Sequence, residues 1–273
     1  MAGLASQQAL TASTGELLTA AATMDELALS TVGEDLSAVA GVLAHEPHLR
    51  RLLTETTIAA DAKADMARRL LTGKIGDKSL QILTAALAHR WSTGHDLVEG
   101  LRRLSRTALF LQAERSGELD EVEDQLFRFG RIIDANPDLS VVLDDPATPP
   151  QGRVELVTRL LDGRAHRLTI DLLTALARDP GGRAYSHGVA ELVEQAAERR
   201  DKLVAIVTSA IPLDADQVAR LRGALHTIYS REVAVHVIVD PALGGGLSIR
   251  VGDEVIDGSI SGRLNAIRQR LAR

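Results

Sequence analysis

Over roughly its first two hundred residues the chain carries apolar positions at helical spacing. Val32, Leu36, Val39, Ala40 and Leu43 fall on one face of a helix, as do Leu97, Leu101, Leu104, Ala108 and Leu111. Residues that stop helices separate these runs: Glu46-Pro47, Gly73, Gly94, Asn136-Pro137, Gly163 and Pro180-Gly181-Gly182. The pattern predicts an antiparallel array of helices joined by short loops. Beyond about residue 200 the period changes. Val204-Ala205-Ile206-Val207 is a compact β-branched run, Val233, Val235, Val237 and Val239 alternate as in a strand, and Leu247, Ile249 and Val251 do the same. Gly252-Asp253 predicts a tight turn into Glu254-Val255-Ile256. One helix opens with the capping pair Asp214 and Gln217, and another runs from Ser259 to the end. The resulting order, β-α-β-β-β-α, is that of a small α+β domain.

The helical part contains an internal duplication. Aligning Pro47 with Pro137 sets an offset of 90 residues that also pairs Leu49 with Leu139, Leu53 with Leu143, Met66 with Leu156 and Arg69 with Arg159. The same register matches Leu70-Leu71 with Leu160-Leu161, Gly73 with Gly163, and Leu83-Thr84-Ala85 with Leu173-Thr174-Ala175. The paired positions are apolar or helix-ending, so a packing plan was copied, not a set of reactive groups. One loop differs: the second copy stiffens it with Pro146, Pro149 and Pro150.

Composition narrows the function classes. The chain has 273 residues, 45% of them hydrophobic and 25% charged, as in soluble globular proteins. Its six aromatic residues are too few for base-stacking platforms, and a net charge of −6 supplies no basic excess for nucleic acid. The absence of cysteine excludes disulfides, thiolate metal sites and thiol nucleophiles. No stretch is read as a membrane span or a signal peptide, so the chain is expected to be cytosolic or peripheral.

The search for chemistry yields decoys. Gly244-Gly245-Gly246 leads into strand-like residues, whereas a phosphate loop opens a helix. Gly73 to Ser79 follows a helix and is an interhelical turn. His45 and His48 flank a proline, and His89 and His95 diverge, so neither pair makes a zinc motif. The acidic run Glu118, Asp120, Glu121, Glu123 and Asp124 sits at a helix start, where it complements the dipole. Arg263, Arg268, Arg270 and Arg273 line the last helix opposite Leu264, Ile267 and Leu271. No catalytic, cofactor-binding or metal-ligating residue can be named.

From Val204 onward the chain resembles the C-terminal part of the delta subunit of bacterial F-type ATP synthases, the oligomycin-sensitivity-conferring protein family. The resemblance rests on Thr208-Ser209-Ala210-Ile211-Pro212-Leu213, on Val239-Asp240-Pro241 with Leu243-Gly244-Gly245-Gly246, on Ile249-Arg250-Val251-Gly252-Asp253, and on Val255-Ile256-Asp257-Gly258-Ser259-Ile260 with Arg263-Leu264. Asp240, Pro241, Gly245, Gly246, Gly252, Asp253, Asp257, Gly258 and Ser259 form this structural signature. Leu126, Asn136-Pro137, Leu139, Arg153, Leu160-Leu161 and Leu173 are similar to the family's N-terminal helical bundle. The resemblance therefore implies a mainly α chain of two tandem antiparallel helical bundles followed by the small α+β domain. Residues 1–105 are the extra bundle, 106–200 the delta-type bundle, and 201–273 the α+β domain. A duplicated bundle is similar to the long actinobacterial form of the family.

The resemblance implies a non-catalytic stator subunit without cofactor, part of a heteromeric complex at the cytoplasmic face of the cell membrane. Its bundle would grip the N-terminal helix of an α subunit in a groove between helices, and its C-terminal domain would meet the end of subunit b. Two bundles offer two such grooves; the alternative is that one is filled by the linker or acts as a spacer. Leu109 and Leu172 are the candidate groove residues. In some relatives delta is fused to a membrane-anchored b-type subunit, and both a free subunit and the soluble part of a fusion remain open. The competing readings are a helical-repeat adaptor unrelated to ATP synthase, and nucleic-acid binding through the arginine-rich tail.

Overall fold

A computed structural model describes residues 3–145, 147–201, 203–229, 233–251 and 254–258. The chain divides into two compact units, Met1–Ala197 and Glu198–Arg273. The first begins with helices α1 (Leu4–Ala21), α2 (Glu26–His45), α3 (Pro47–Thr54), α4 (Ala60–Leu71), α5 (Asp77–Ala88) and α6 (Gly94–Arg115). It continues with α7 (Leu119–Ala135), α8 (Pro137–Asp144), α9 (Pro150–Leu161), α10 (Arg167–Arg178) and α11 (Tyr185–Asp201). Local chemistry sets these boundaries. Asp25 accepts the Ala28 amide at 2.8 Å to start α2, and Thr93 accepts the Asp96 amide at 3.1 Å to start α6. Pro47, Pro137 and Pro150 occupy first helical positions, where a missing N–H costs nothing. Gly73 and Gly163, 90 residues apart, both turn the chain at positive φ, 76° and 66°.

The duplication extends through the packing. Buried Leu29, Val32, Leu36, Leu43, Leu53 and Leu83 of one hydrophobic core correspond at the same offset to Leu119, Val122, Leu126, Ile133, Leu143 and Leu173 of a second. A polar cap was copied with them. Asp35 Oδ2 accepts the Gly76 amide at 2.9 Å and the Ser79 hydroxyl at 2.5 Å, fastening the start of α5 to α2. In the second copy Gln125 Oε1 accepts the His166 amide at 2.7 Å and the Thr169 hydroxyl at 2.8 Å, fastening α10 to α7. Two different side chains thus supply the same acceptor.

Helix α6 belongs to both copies. It starts 90 residues after α1, as the first helix of the second set, and 91 residues before α11, whose place it takes in the first set. Leu97, Leu101, Leu104 and Ala108 face the first core, while Phe110 and Ala113 enter the second. Residue 105 lies inside this uninterrupted helix, and the Ser105 hydroxyl donates to the Gly33 carbonyl at 2.6 Å.

Helix α2 is long and apolar enough to cross a membrane by length and composition, which the sequence pattern had not indicated. Its apolar face, Leu29 to Leu43, is instead part of the first core.

Each core fixes one aromatic ring by its polar end. Trp91 donates from its indole N–H to the Ala86 carbonyl at 2.9 Å, and the Tyr185 hydroxyl donates to the Leu173 carbonyl at 2.9 Å. Tyr185 meets Phe129 edge-on, with ring centroids 6.4 Å apart. Burial pushes its phenol far above the ordinary value. The unfolded chain releases this proton near pH ~10 while the folded chain holds it, so stability is full below that pH and falls as pH rises. An expected loss of about 1.4 kcal/mol per pH unit follows above that point. Urea denaturation of the Tyr185→Phe protein checks it: the variant should be weaker by about 0.5–1.5 kcal/mol at neutral pH, for the lost hydrogen bond, yet show a shallower alkaline decline.

The second unit holds strands β1 (Leu203–Ser209), β2 (Val233–Val239), β3 (Leu247–Val251) and β4 (Glu254–Asp257), with α12 (Ala215–Tyr229) between the first two. The sheet order is β2-β1-β3-β4, with β1 and β2 parallel and the other neighbours antiparallel. A parallel pair needs a crossover, which α12 provides. The predicted capping pair starts it: Asp214 accepts the Gln217 amide at 2.7 Å and Gln217 accepts the Asp214 amide at 2.9 Å. Ala205, Leu225, Val233 and Val251 form the small core. The mainly α architecture with a small mixed α+β unit agrees with the fold expected from sequence; the expected last helix, with its four arginines, lies outside the described residues.

Candidate functional site

The C-terminal signature shapes the backbone. The Asp240 amide donates to the Ser209 carbonyl at 2.8 Å, and its side chain accepts the Ala242 amide at 2.9 Å, capping a 3-10 turn that Pro241 opens. Gly244, Gly245 and Gly246 then run at φ of 71°, 136° and 78°, a sequence of conformations that side chains resist, before β3 begins. This is a strand-entry turn, not an anion-binding helix start. The Gly258 amide donates to the Leu247 carbonyl at 2.9 Å, and a Cβ at Gly258 would sit 3.2 Å from that oxygen. Asp257 is paired with Ser248 in the ladder. Gly252, Asp253 and Ser259 fall outside the described residues.

The bundle positions are placed as follows. Leu172 is 4% exposed and packs inside the second core, so it is not available to a docking helix. Leu109 is half-buried between the two copies, against the second core and against Gly33 of α2. Sequence periodicity identified both as apolar helix positions without showing which neighbours cover them. A different row remains partly open. Leu80, Thr84 and Ala85 of α5 are half-buried, as are Ile170, Thr174 and Ala175 of α10, at the duplication offset. Thr84 and Thr174 donate their hydroxyls to the Leu80 and Ile170 carbonyls at 2.9 and 2.8 Å, which satisfies these polar groups within their own helices. Helix α1 packs beside α5 and brings half-buried Leu10 and Leu18, while α6 packs beside α10. Each bundle therefore offers a shallow apolar seam and little reactive chemistry along it.

Around the same helices the two copies differ in charge. Arg102 of α6 is paired with Glu99 and with Asp179, and Arg183 is paired with Glu191. Arg106 lies 3.7 Å from Glu191, and burial lowers its guanidinium pKa despite the opposing pull of Glu191 and Glu99. In the first copy, α1 and the loop after α5 are joined instead by Glu16 and His89, 3.1 Å apart. The acidic run at the start of α7 behaves as a helix terminus. The Ser116 hydroxyl, 2.6 Å from Glu118, holds that carboxyl below its usual range, assisted by His166 at 3.2 Å. Among the described residues no group of three or more His, Asp or Glu is arranged to hold a metal ion.

Residues 106–271 match the family described as ATP synthase delta (OSCP) subunit. Curated relatives extend the similarity over nearly the whole chain. A protein named ATP synthase subunit delta in Streptomyces avermitilis is 43% identical over 262 residues, covering 96% of this chain and 96% of that protein. Its namesake in Parafrankia sp. is 44% identical over 242 residues, covering 89% and 87%. The Streptomyces coelicolor protein of the same name is 40% identical over 268 residues, covering 98% and 97%.

Proposed function

Because the chain belongs to the ATP synthase delta (OSCP) family, we propose that it works as a peripheral-stalk subunit of the F-type ATP synthase, a non-catalytic tie between the catalytic head and the stalk. It sits at the cytoplasmic face of the bacterial cell membrane. The α-subunit N-terminal helices dock on the bundles, and the C-terminal α+β unit meets subunit b or a b-like stalk helix. Family membership sets aside the unrelated adaptor. A helix-in-groove contact asks for apolar rows and correct spacing, not for titratable groups, which suits the seams described above.

The observation that carries the two-site version is the recurrence of the outward row Leu80, Thr84 and Ala85 as Ile170, Thr174 and Ala175, with the same partial exposure. Each bundle takes one α-subunit helix. Calorimetric titration of the full chain with a peptide of the α-subunit N-terminus is expected to give two peptides per chain. Ala85→Arg and Ala175→Arg should each reduce this to one, with circular dichroism unchanged. A parent stoichiometry of one would assign a single docking bundle and a spacer. No binding would remove the α-subunit contact from the bundles altogether.

A further inference from the structure

The first amides of α10 need an acceptor, and the residue at the capping position is a histidine instead of one of the usual hydroxyl, carboxylate or carboxamide types. His166 Nδ1 accepts the Leu168 amide at 3.2 Å, while its Nε2 lies 3.2 Å from Glu118 Oε1. A backbone N–H can only donate, so Nδ1 carries no hydrogen and the proton of the neutral ring sits on Nε2, where it donates to the carboxylate. Both ring nitrogens are thus engaged, in one tautomer and one protonation state. A second proton sets N–H against N–H and removes the cap. The surroundings give that proton a reason to arrive. Glu118 comes from the turn before α7 and also accepts the Ser116 hydroxyl at 2.6 Å. Asp171, on α10 itself, feels the charge of His166 together with that of Arg167, 3.6 Å away, and of Glu34 on α2. Three carboxylates against one guanidinium supply counter-charge to an imidazolium, while the α10 amides lose an acceptor and the positive end of the helix dipole meets a cation.

The first copy is an internal control. Ninety residues earlier the N-cap of α5 is Gly76, with no side chain to cap or to titrate. Asp35 holds Gly76 and Ser79 there as Gln125 holds His166 and Thr169 in the second copy, so the two helix starts are otherwise fastened alike. Of the two seam helices only α10 has a cap that changes charge. What this cap steadies is the first turn of α10, which carries Ile170, the leading residue of the outward row.

We propose that His166 makes helix docking on the second bundle pH-sensitive and leaves docking on the first bundle insensitive, an inference that rests on the docking reading above. Neutral, the ring caps α10 and orders the start of its seam; protonated, it releases the Leu168 amide and the first turn frays. Histidine titrates near pH ~6.5, so full chains are compared at about pH 8 and about pH 5.5 by calorimetric titration with the α-subunit N-terminal peptide. The Ala85→Arg chain, which keeps only the second seam, should bind about fivefold more weakly at the lower pH, and the Ala175→Arg chain, which keeps only the first, should change by less than about twofold. Adding His166→Asn to Ala85→Arg supplies a carboxamide oxygen that caps without titrating, and should hold the affinity at its higher-pH value. Equal affinities of the Ala85→Arg chain at the two pH values, or a decline that His166→Asn leaves in place, overturn the proposal. The Leu168 amide resonance judges the cap without any partner: it should shift through a histidine titration in the parent chain, and a resonance that stays fixed overturns the proposal as well. Absence of peptide binding at about pH 8 overturns the docking reading and with it the consequence for the seam, whereas the resonance still decides the cap.

Discussion

Replacing Gly188 with valine is expected to destabilise the second bundle by about 1–3 kcal/mol, and adding Leu176→Ala is expected to recover much of that loss. A Cβ at Gly188 would fall 2.5 Å from Leu176 Cδ1 and 2.9 Å from its Cδ2, so the glycine is there because the leucine fills the space. In the first copy the corresponding residues are Val98 and Ala86, both buried. The same gap between helices is filled from one side in one bundle and from the other side in its duplicate. Leu176→Ala alone should cost about 2–5 kcal/mol through the cavity it leaves. The double variant reproduces the first copy's solution, so its cost should fall short of the sum by about 0.5–3 kcal/mol of coupling. Hydrogen exchange of α10 and α11 amides in the four proteins measures the cycle. Strict additivity would mean that the two side chains do not share one space.

The second large effect concerns α6. Thr107→Pro removes the N–H that bonds to the Arg103 carbonyl, and the ring collides with that carbonyl, at a cost of about 3 kcal/mol or more. The Thr107 side chain is half-buried and its hydroxyl donates to that same carbonyl at 2.8 Å, so the damage is mainly to the backbone. Because the helix lines both cores, amides of α2 and α5 and amides of α7 and α10 should lose protection together. Exchange mass spectrometry reads both sets in one experiment. Loss confined to one bundle would show that each core holds its share of α6 without the other.

Much of this organisation was legible in the chain itself. The faces from Val32 to Leu43 and from Leu97 to Leu111 are buried where the helical period put them, and the offset of 90 survives as matched core positions. The strands from Leu203 to Asp257 follow the alternation. What escaped had physical causes. Helix α6 serves two cores, so its apolar pattern is a superposition, and a cut at residue 105 looked natural when only one core was considered. Asp35 and Gln125 cap equivalent helices with different chemical types, which identity-matching does not detect. Leu172 reads as an apolar helix residue whether it faces a partner or a core; only the surrounding helices decide. The burial of Lys63 and Arg153 contradicts the usual exposure of their types and has no trace in periodicity.

If each bundle takes a partner helix, as proposed above, the shared helix also governs avidity between the two bundles. Two docking modules on a flexible tether would sweep a volume, and the second would bind at an effective concentration set by tether length. Here the connection is a rod of 22 residues, about 33 Å long, embedded in both modules. With one partner helix seated, the other seam is held at a single position instead of a distribution of them. Partners spaced to match gain nearly the full benefit of bivalency, and partners spaced otherwise gain none, so the rod works as a gauge of the distance between them.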